Sequence, residues 1–323
     1  MLLVEMTLPS GLRRISNEPL ALEHYWEPVV ASCGPVSMAT DQPYGGYVRP
    51  QFGRLELLPS LFADDWPPPV SVPLTMAVTD TDEAGAVQLM AGTAHRAEIR
   101  RDGIAYDLYG REYGGRFTDH SYGNTVSGLF ANNIASADPS LTADTGLADP
   151  DSAPYILYVD TGDQVVIDSL SRTCAVAAHL FYIQGTTAHL VDMFTDNGSM
   201  ELTEFDFFPS SYTDQGPLAT CRCGDTSLAC SWPYGREVSV SPVFNTSDTA
   251  EITTGLERIR QILEAPLLTL KAPITATVPK FGQRVSWTDS SQWSPLSAWM
   301  RVRSIVWDFD RAQVVLRGEG GLA

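Results

Sequence analysis

Hydrophobic positions between residues 161 and 193 change period abruptly. Ile167, Leu170, Cys174, Ala178 and Phe181 recur every three or four residues, the spacing of one helix face. Thr161 with Gln164 three positions later makes a capping box at the start of that helix. Two β-prone runs follow, Phe181-Tyr182-Ile183-Gln184 and Ala188-His189-Leu190-Val191-Asp192, around a Gly185-Thr186-Thr187 turn. That arrangement predicts a hairpin. Upstream, Asn124 is placed to cap another helix with Val126, Leu129, Phe130 and Ile134 on one face, ending before Pro139. Helix, long loop, helix and hairpin predict a compact α+β module over residues 118–195.

The flanks carry the pattern of strands. Through residues 1–117, Pro28, Gly34-Pro35, Pro43, Gly45-Gly46, Pro50 and Pro67-Pro68-Pro69 punctuate short runs such as Arg54-Leu55-Glu56-Leu57. Such punctuation suits a small barrel with elaborated connections. β character returns from Met200, in Met200–Phe205 and Arg236–Val240. One helix interrupts it, opened by Asp248 and Glu251, with Ile252, Leu256, Ile259 and Leu263 as its stripe and Pro266 at its end. Two stretches repeat each other. Residues 95–110 read strand, Asp-Gly turn, strand, Gly, and residues 300–318 follow the same plan around Asp310-Arg311. An offset of 208 places Asp102 on Asp310, Leu108 on Leu316 and Gly110 on Gly318.

The middle module resembles the small middle domain of phage tail hub proteins and of the related type VI secretion spike proteins. In that family a helix leads through a loop with an extended Tyr-containing run into a second helix. A hairpin with a Gly turn and a Leu-Val-x-Asp-like second strand follows. Here Tyr155-Ile156-Leu157-Tyr158 supplies the run and Leu190-Val191-Asp192 the strand. The helix opened by Asp248 and ended by Pro266, the Gly282-x-x-Val285 strand and a closing hairpin ending Leu316-Arg317-Gly318 are similar to the family's last domain. The resemblance covers the chain from about residue 95 onward.

It implies a mainly β (α+β) fold, in which two similar β-barrels, residues 1–117 and 196–323, flank the module at 118–195. It implies a structural virion protein of the tail tip or baseplate, not an enzyme. Three copies would form a ring that closes the six-fold tail tube, adapts six-fold to three-fold symmetry and leaves a channel for DNA in genome ejection. Implied partners are a distal tail protein and the tail tube protein above, and a central spike or fibre protein below. A distal tail protein, a hexameric ring that also begins with a β-barrel, is the competing structural reading; that family usually lacks the central module.

Charge sharpens the expectation about DNA. The chain of 323 residues has a formal net charge of −18, with Lys271 and Lys280 its only lysines. Phosphate binding depends on Lys and Arg, so stable nucleic-acid binding is not expected, whereas an acidic wall suits a conduit that DNA slides past. Candidates for that lining are the solvent-facing acids Glu56, Glu98, Asp107, Glu201 and Glu204. No apolar run reaches the ~18 residues of a membrane span. An acidic Glu5 stands where a signal peptide would be basic, so synthesis and assembly in the host cytoplasm are expected.

Candidate chemistry is sparse. Cys221, Cys223 and Cys230 cluster, but one residue between the first two is closer than zinc spacing favours. Some tail-tip and hub-like proteins hold an iron–sulfur cluster on four cysteines, for which Cys174 would be the fourth. The plainer reading is reduced or partly disulfide-linked cysteines on a hairpin. Asp-Thr-Gly occurs at Asp144 and Asp160, as in aspartic proteases, where two carboxylates share a proton. Only 16 residues separate the copies, too few for two protease lobes, and Thr161 serves better as a helix cap. His24, His95, His120, His179 and His189 show no metal-ligand spacing, and His179 falls on the expected helix. Trp287, Trp293, Trp299 and Trp307, on alternating strands, point to barrel core or subunit interface, with the platform of a carbohydrate-binding receptor protein as the competing reading.

Overall fold

A computed structural model describes residues 1–79, 86–110, 122–123, 125–148, 157–158, 166–203, 206–213, 216–240, 249–274, 279–289 and 296–322. The first part contains β1 (Leu2–Leu8), β2 (Gly11–Ser16), β3 (Leu20–Ala21), β4 (Tyr25–Trp26), β5 (Val30–Cys33), β6 (Val36–Gln42), β7 (Gly45–Gln51) and β8 (Arg54–Leu57). β9 (Ser71–Val78), β10 (Val87–Ile99) and β11 (Ile104–Gly110) complete it. The middle holds β12 (Tyr122–Gly123), α1 (Val126–Ala137), β13 (Thr142–Leu147), β14 (Leu157–Tyr158), α2 (Val166–Val176), β15 (His179–Gln184) and β16 (Thr187–Asp192). The last part runs through β17 (Ser199–Leu202), β18 (Asp206–Thr213), β19 (Leu218–Cys223), β20 (Thr226–Ala229), β21 (Arg236–Ser239) and α3 (Thr249–Glu264). It ends with β22 (Leu267–Pro273), β23 (Arg284–Asp289), β24 (Leu296–Asp308) and β25 (Gln313–Leu322). The fold is mainly β, as expected.

Seven strands form an antiparallel sheet in the order β2-β1-β9-β10-β11-β8-β5. β9 shows why: Val72, Leu74, Met76 and Val78 are buried and the residues between them are not. Period-two alternation puts one face on the core and leaves the other to water, and each fully buried side chain of this size contributes ~1.5–3 kcal/mol. The β6–β7 hairpin does not join that sheet. β6 pairs with β24, Met38 opposite Ile305 and Val36 opposite Trp307, and β7 runs parallel to β15, Tyr47 beside Phe181. Residues 1–117 and 196–323 therefore share a sheet, ordered β13-β16-β15-β7-β6-β24-β25-β22-β18, with β23 and β17 branching from β24.

The middle module inserts into this sheet edge-on and is covered on both faces. That explains the unbroken apolar run of β15. Leu180 and Tyr182 face the large core shared by both ends of the chain, whereas Phe181 faces a second core with Leu129, Phe130, Ile134, Leu170 and Cys174. Phe181 stacks on Tyr47 at 5.0 Å and meets Phe130 edge-on at 5.4 Å. The α1 stripe is buried as its spacing predicts, but the cap is Thr125, whose Oγ1 accepts from Gly128 N at 3.1 Å. Asn124 and the Thr161–Gln164 capping box lie outside the described residues. α2 stops at Val176, because Ala178 turns left-handed at φ 56°. Ala178 and Phe181 thus kept a helical spacing by coincidence; the chain has already become a strand.

The two hairpins related by the 208-residue offset share more than a few residues. In each the first strand is 13 residues long and bulged, between His95 and Glu98 in β10 and between Val302 and Ser304 in β24. The inward positions coincide, Tyr106 with Val314 and Leu108 with Leu316, and Tyr109 matches Arg317 on the exposed side. The register differs by two residues along the first strand: Gly110 pairs with Gly92, but Gly318 pairs with Val302 and not with Met300.

A buried ion pair fastens β24 and β25 to the β6–β7 turn. Arg303 and Glu319 are 6% and 5% exposed and ion-paired with each other, and Arg303 Nη1 donates to Pro43 O at 2.7 Å. Burial pushes the guanidinium down and the carboxyl up, each towards its neutral form. Removing one partner strands the other charge, so Glu319→Gln or Arg303→Met should each lose about 3–5 kcal/mol in urea unfolding. The double replacement by Met should lose clearly less than the sum of the two. Ser171 makes a second tie: Oγ donates to Asp41 at 2.7 Å and accepts from Tyr47 N at 2.8 Å. Ser171→Ala should cost about 1–3 kcal/mol on the same scale, since it orphans a buried amide.

Candidate functional site

Three of the five acids expected to line a channel come together on the outer face of the first sheet. In β8, Leu55 and Leu57 are fully buried, which turns Arg54 and Glu56 outward. In β11, buried Tyr106 and Leu108 do the same for Asp107. Glu98 arrives on this face through the β10 bulge, where Arg96 adopts φ 58° and the register shifts to set Glu98 opposite Ala105. Glu98, Ala105, Glu56 and Ser32 then form one row across four strands, with Asp107 and Arg54 in the next.

Two arginines not anticipated from the sequence hold these acids. Arg54 reaches Glu98 at 2.7 Å and Asp107 at 3.1 Å, and Arg100 reaches Glu56 at 2.5 Å and Glu98 at 3.3 Å. Hydrogen bonding from Arg100 holds the Glu98 carboxyl below its usual range. Three carboxylates against two guanidiniums leave one uncompensated negative charge, not three. The signal was present in Arg54-Leu55-Glu56-Leu57, where outward positions alternate in sign. Glu201 is exposed on β17, which pairs with β23 in the other sheet, and Glu204 lies outside the described residues.

The cysteines divide. Cys174 belongs to the core of the middle module, while Cys221 and Cys223 face the large core from β19. The four-cysteine set considered for an iron–sulfur cluster is therefore not assembled, and Cys174 is the residue that does not fit. Among the described residues no group of three His, Cys, Asp or Glu side chains is placed to hold a metal ion. Burial pushes the Cys33 thiol up to about 12 and raises Cys174 further.

Asp144 of the first Asp-Thr-Gly is occupied otherwise than in a carboxylate dyad. Its Oδ1 accepts from Gly146 N at 3.0 Å and its Oδ2 lies 2.8 Å from His189 Nδ1 on the neighbouring strand. The Gly146 bond and then His189 hold its carboxyl below the usual range, opposite to the shared-proton condition. Asp160 lies outside the described residues. His189 also stacks on Tyr182 at 4.8 Å. His179 is buried on β15, not on a helix, with Nδ1 2.8 Å from Ala177 O. Trp287 and Trp307 are core residues; Trp299 is half-buried with the Arg284 guanidinium 4.5 Å over its ring, and Trp293 is outside the described residues.

No family model matches the chain, and no curated protein matches it in sequence. Solved structures do. The tail protein from Neisseria meningitidis MC58 is similar with a TM-score of 0.61 at 11% identity, over 98% of this chain and 96% of that one. The 43 kDa tail protein of prophage MuSo2 from Shewanella oneidensis gives 0.57 at 11% identity over 98% and 96%. Prophage tail protein gp18 from Listeria monocytogenes EGD-e gives 0.54 at 6% identity over 98% and 94%. Along nearly its whole length, the chain has the fold of these three phage tail proteins.

Proposed function

We propose that the chain is a structural protein of a phage tail, and within the tail a hub at its tip. The carrying observation is the end-to-end match: 98% of the chain aligns with more than nine-tenths of each of three tail proteins. A match spanning both β regions and the module between them supports a shared architecture rather than one common domain. Within it, two hairpins, each with a bulged first strand of 13 residues, flank the module, as a hub of two related β regions requires. A structural role needs no catalytic constellation; Asp144 is accounted for by local bonding, and Cys33, Cys174, Cys221 and Cys223 by burial.

In this reading three chains close a ring below the tail tube, contacting a distal tail protein and the tube above and a spike or fibre below. DNA passes through during ejection without being held, since the charge balance is acidic. Light scattering of the purified full-length protein tests the ring: a mass of three chains is expected. Six chains would favour a distal tail protein, and a monomer under assembly conditions would remove the ring.

The outer face of the first sheet tests the conduit. Changing Glu56 and Glu98 to Gln and Asp107 to Asn leaves Arg54 and Arg100 uncompensated, turning an acidic patch basic. Virions carrying the triple variant should assemble but release their genome more slowly, with the difference shrinking as salt rises and screening shortens to ~8 Å or less. Equal release rates at low salt would place this face away from the DNA.

A further inference from the structure

β19, β20 and β21 form a small sheet whose inner face packs on α3, against Leu256, Ile259 and Leu263. In the β19–β20 register Cys221 stands opposite Leu228. Cys230, two residues further on, falls diagonally across from Cys221 on the same inner face. Their Sγ atoms are 3.8 Å apart. A disulfide measures about 2.05 Å, so the sulfurs must approach by roughly 1.8 Å. Cys230 can supply that movement. It lies one residue beyond the end of β20, where its N–H donates to Ala219 O at 2.9 Å; Trp232 N–H makes a longer bond to Leu218 O at 3.4 Å, and the chain then runs on through Pro233-Tyr234. Cys223 shares the face but stands opposite Thr226, at the far end of the pair from Cys230.

We propose that Cys221 and Cys230 form an intrachain disulfide by exchange with a low-molecular-weight disulfide when the protein meets oxidising surroundings. Cys230, which is partly exposed, attacks first as its thiolate; one S–S bond breaks, a mixed disulfide forms and one small thiolate departs. Cys221, fully buried, then attacks Cys230 Sγ and expels the second small thiolate. Two protein thiols are oxidised, the external disulfide is reduced to two thiols, and the two protons released from the cysteines are taken up by the departing thiolates. Burial first, and then Cys230, raise the Cys221 thiol, and with no exposed surface it is reached by the adjoining Cys230 sulfur rather than by external reagents. Glu264 and Arg236, which flank the pair, are already engaged, with Ser231 N at 2.9 Å and Leu263 O at 2.8 Å respectively. The bond pins to β19 the start of the segment bearing Trp232 and Tyr234, 56% and 78% exposed. This inference is independent of the virion reading.

The test is incubation of the full chain with glutathione disulfide, followed by acid quenching, alkylation of remaining thiols and mass measurement. Two of the five thiols should be lost, without a retained glutathione. Trypsin cuts after Arg222, between Cys221 and Cys223, so the expected bond joins peptide 173–222 to peptide 223–236. A bond from Cys223 to Cys230 would stay within one peptide and overturn the proposal. Five remaining thiols, or a stable glutathione adduct on Cys230 of the unsubstituted chain, would overturn it as well. Cys221→Ser should trap that adduct on Cys230, and Cys223→Ser should form the bond as the natural chain does.

Discussion

The structure turns on a constraint at Gly45-Gly46. Here the β6–β7 hairpin, drawn from the first fifty residues, is pressed between the middle module and the end of the chain. A Cβ on Gly45 would strike His179 O, and one on Gly46 would strike Asp41 Oδ1 and Ser171 Oγ. Both glycines have positive φ, 137° and 90°, so steric room and backbone conformation each exclude a larger residue. Because the backbones can approach this closely, β7 pairs with β15, Ser171 bridges Asp41 and the Tyr47 amide, and Arg303 reaches Pro43 O. Asp41 is the cost: burial raises its carboxyl above the ordinary value despite the Ser171 bond.

That hairpin makes the two ends of the chain one cooperative unit. A single core runs from Leu2 to Leu316 and includes Met38 and Val48 of the hairpin beside Ile305 and Trp307. The middle module keeps its own core, joined to the rest by Tyr47 below Phe181 and by the outward Leu180 and Tyr182 of β15. Pairing crosses the boundaries at residues 117 and 195, since β6 and β24 are neighbours across more than 250 residues. Such a pairing has a high loop-closure cost and depends on the large core to offset it.

What the sequence revealed was local. The α1 stripe, the β15–β16 turn and the β10–β11 turn follow from periodicity and glycine placement, and their residues are where that chemistry puts them. The end of α2 was not legible, because Ala178 is an ordinary helix former and only tertiary packing, with Met193 N bonding Ala178 O, holds it left-handed. The pairing of β6 with β24 was not legible either; alternation shows that a strand has a buried face, not which strand lies beside it. For the acids, alternation was enough to turn Glu56 and Asp107 outward. It could not show that Glu98 joins them, since that depends on a bulge in β10.

Net charge is the property most easily over-read in such a protein. Thirty-nine acids against 21 bases gives −18, yet the field at any surface depends on where the bases sit. Here they are spent locally: Arg14 on Glu5, Arg49 on Asp168, Arg54 and Arg100 on the sheet face, Arg258 on Asp192 and Arg301 on Asp196. Paired charges cancel within a few ångströms, and beyond a screening length of ~8 Å at physiological salt only the unpaired excess is felt. An acidic conduit therefore cannot be located by counting Asp and Glu along strands. It is located by acids that no arginine reaches, and the alternating Arg-x-Glu pattern of β8 marks a face where most of the charge has already been neutralised.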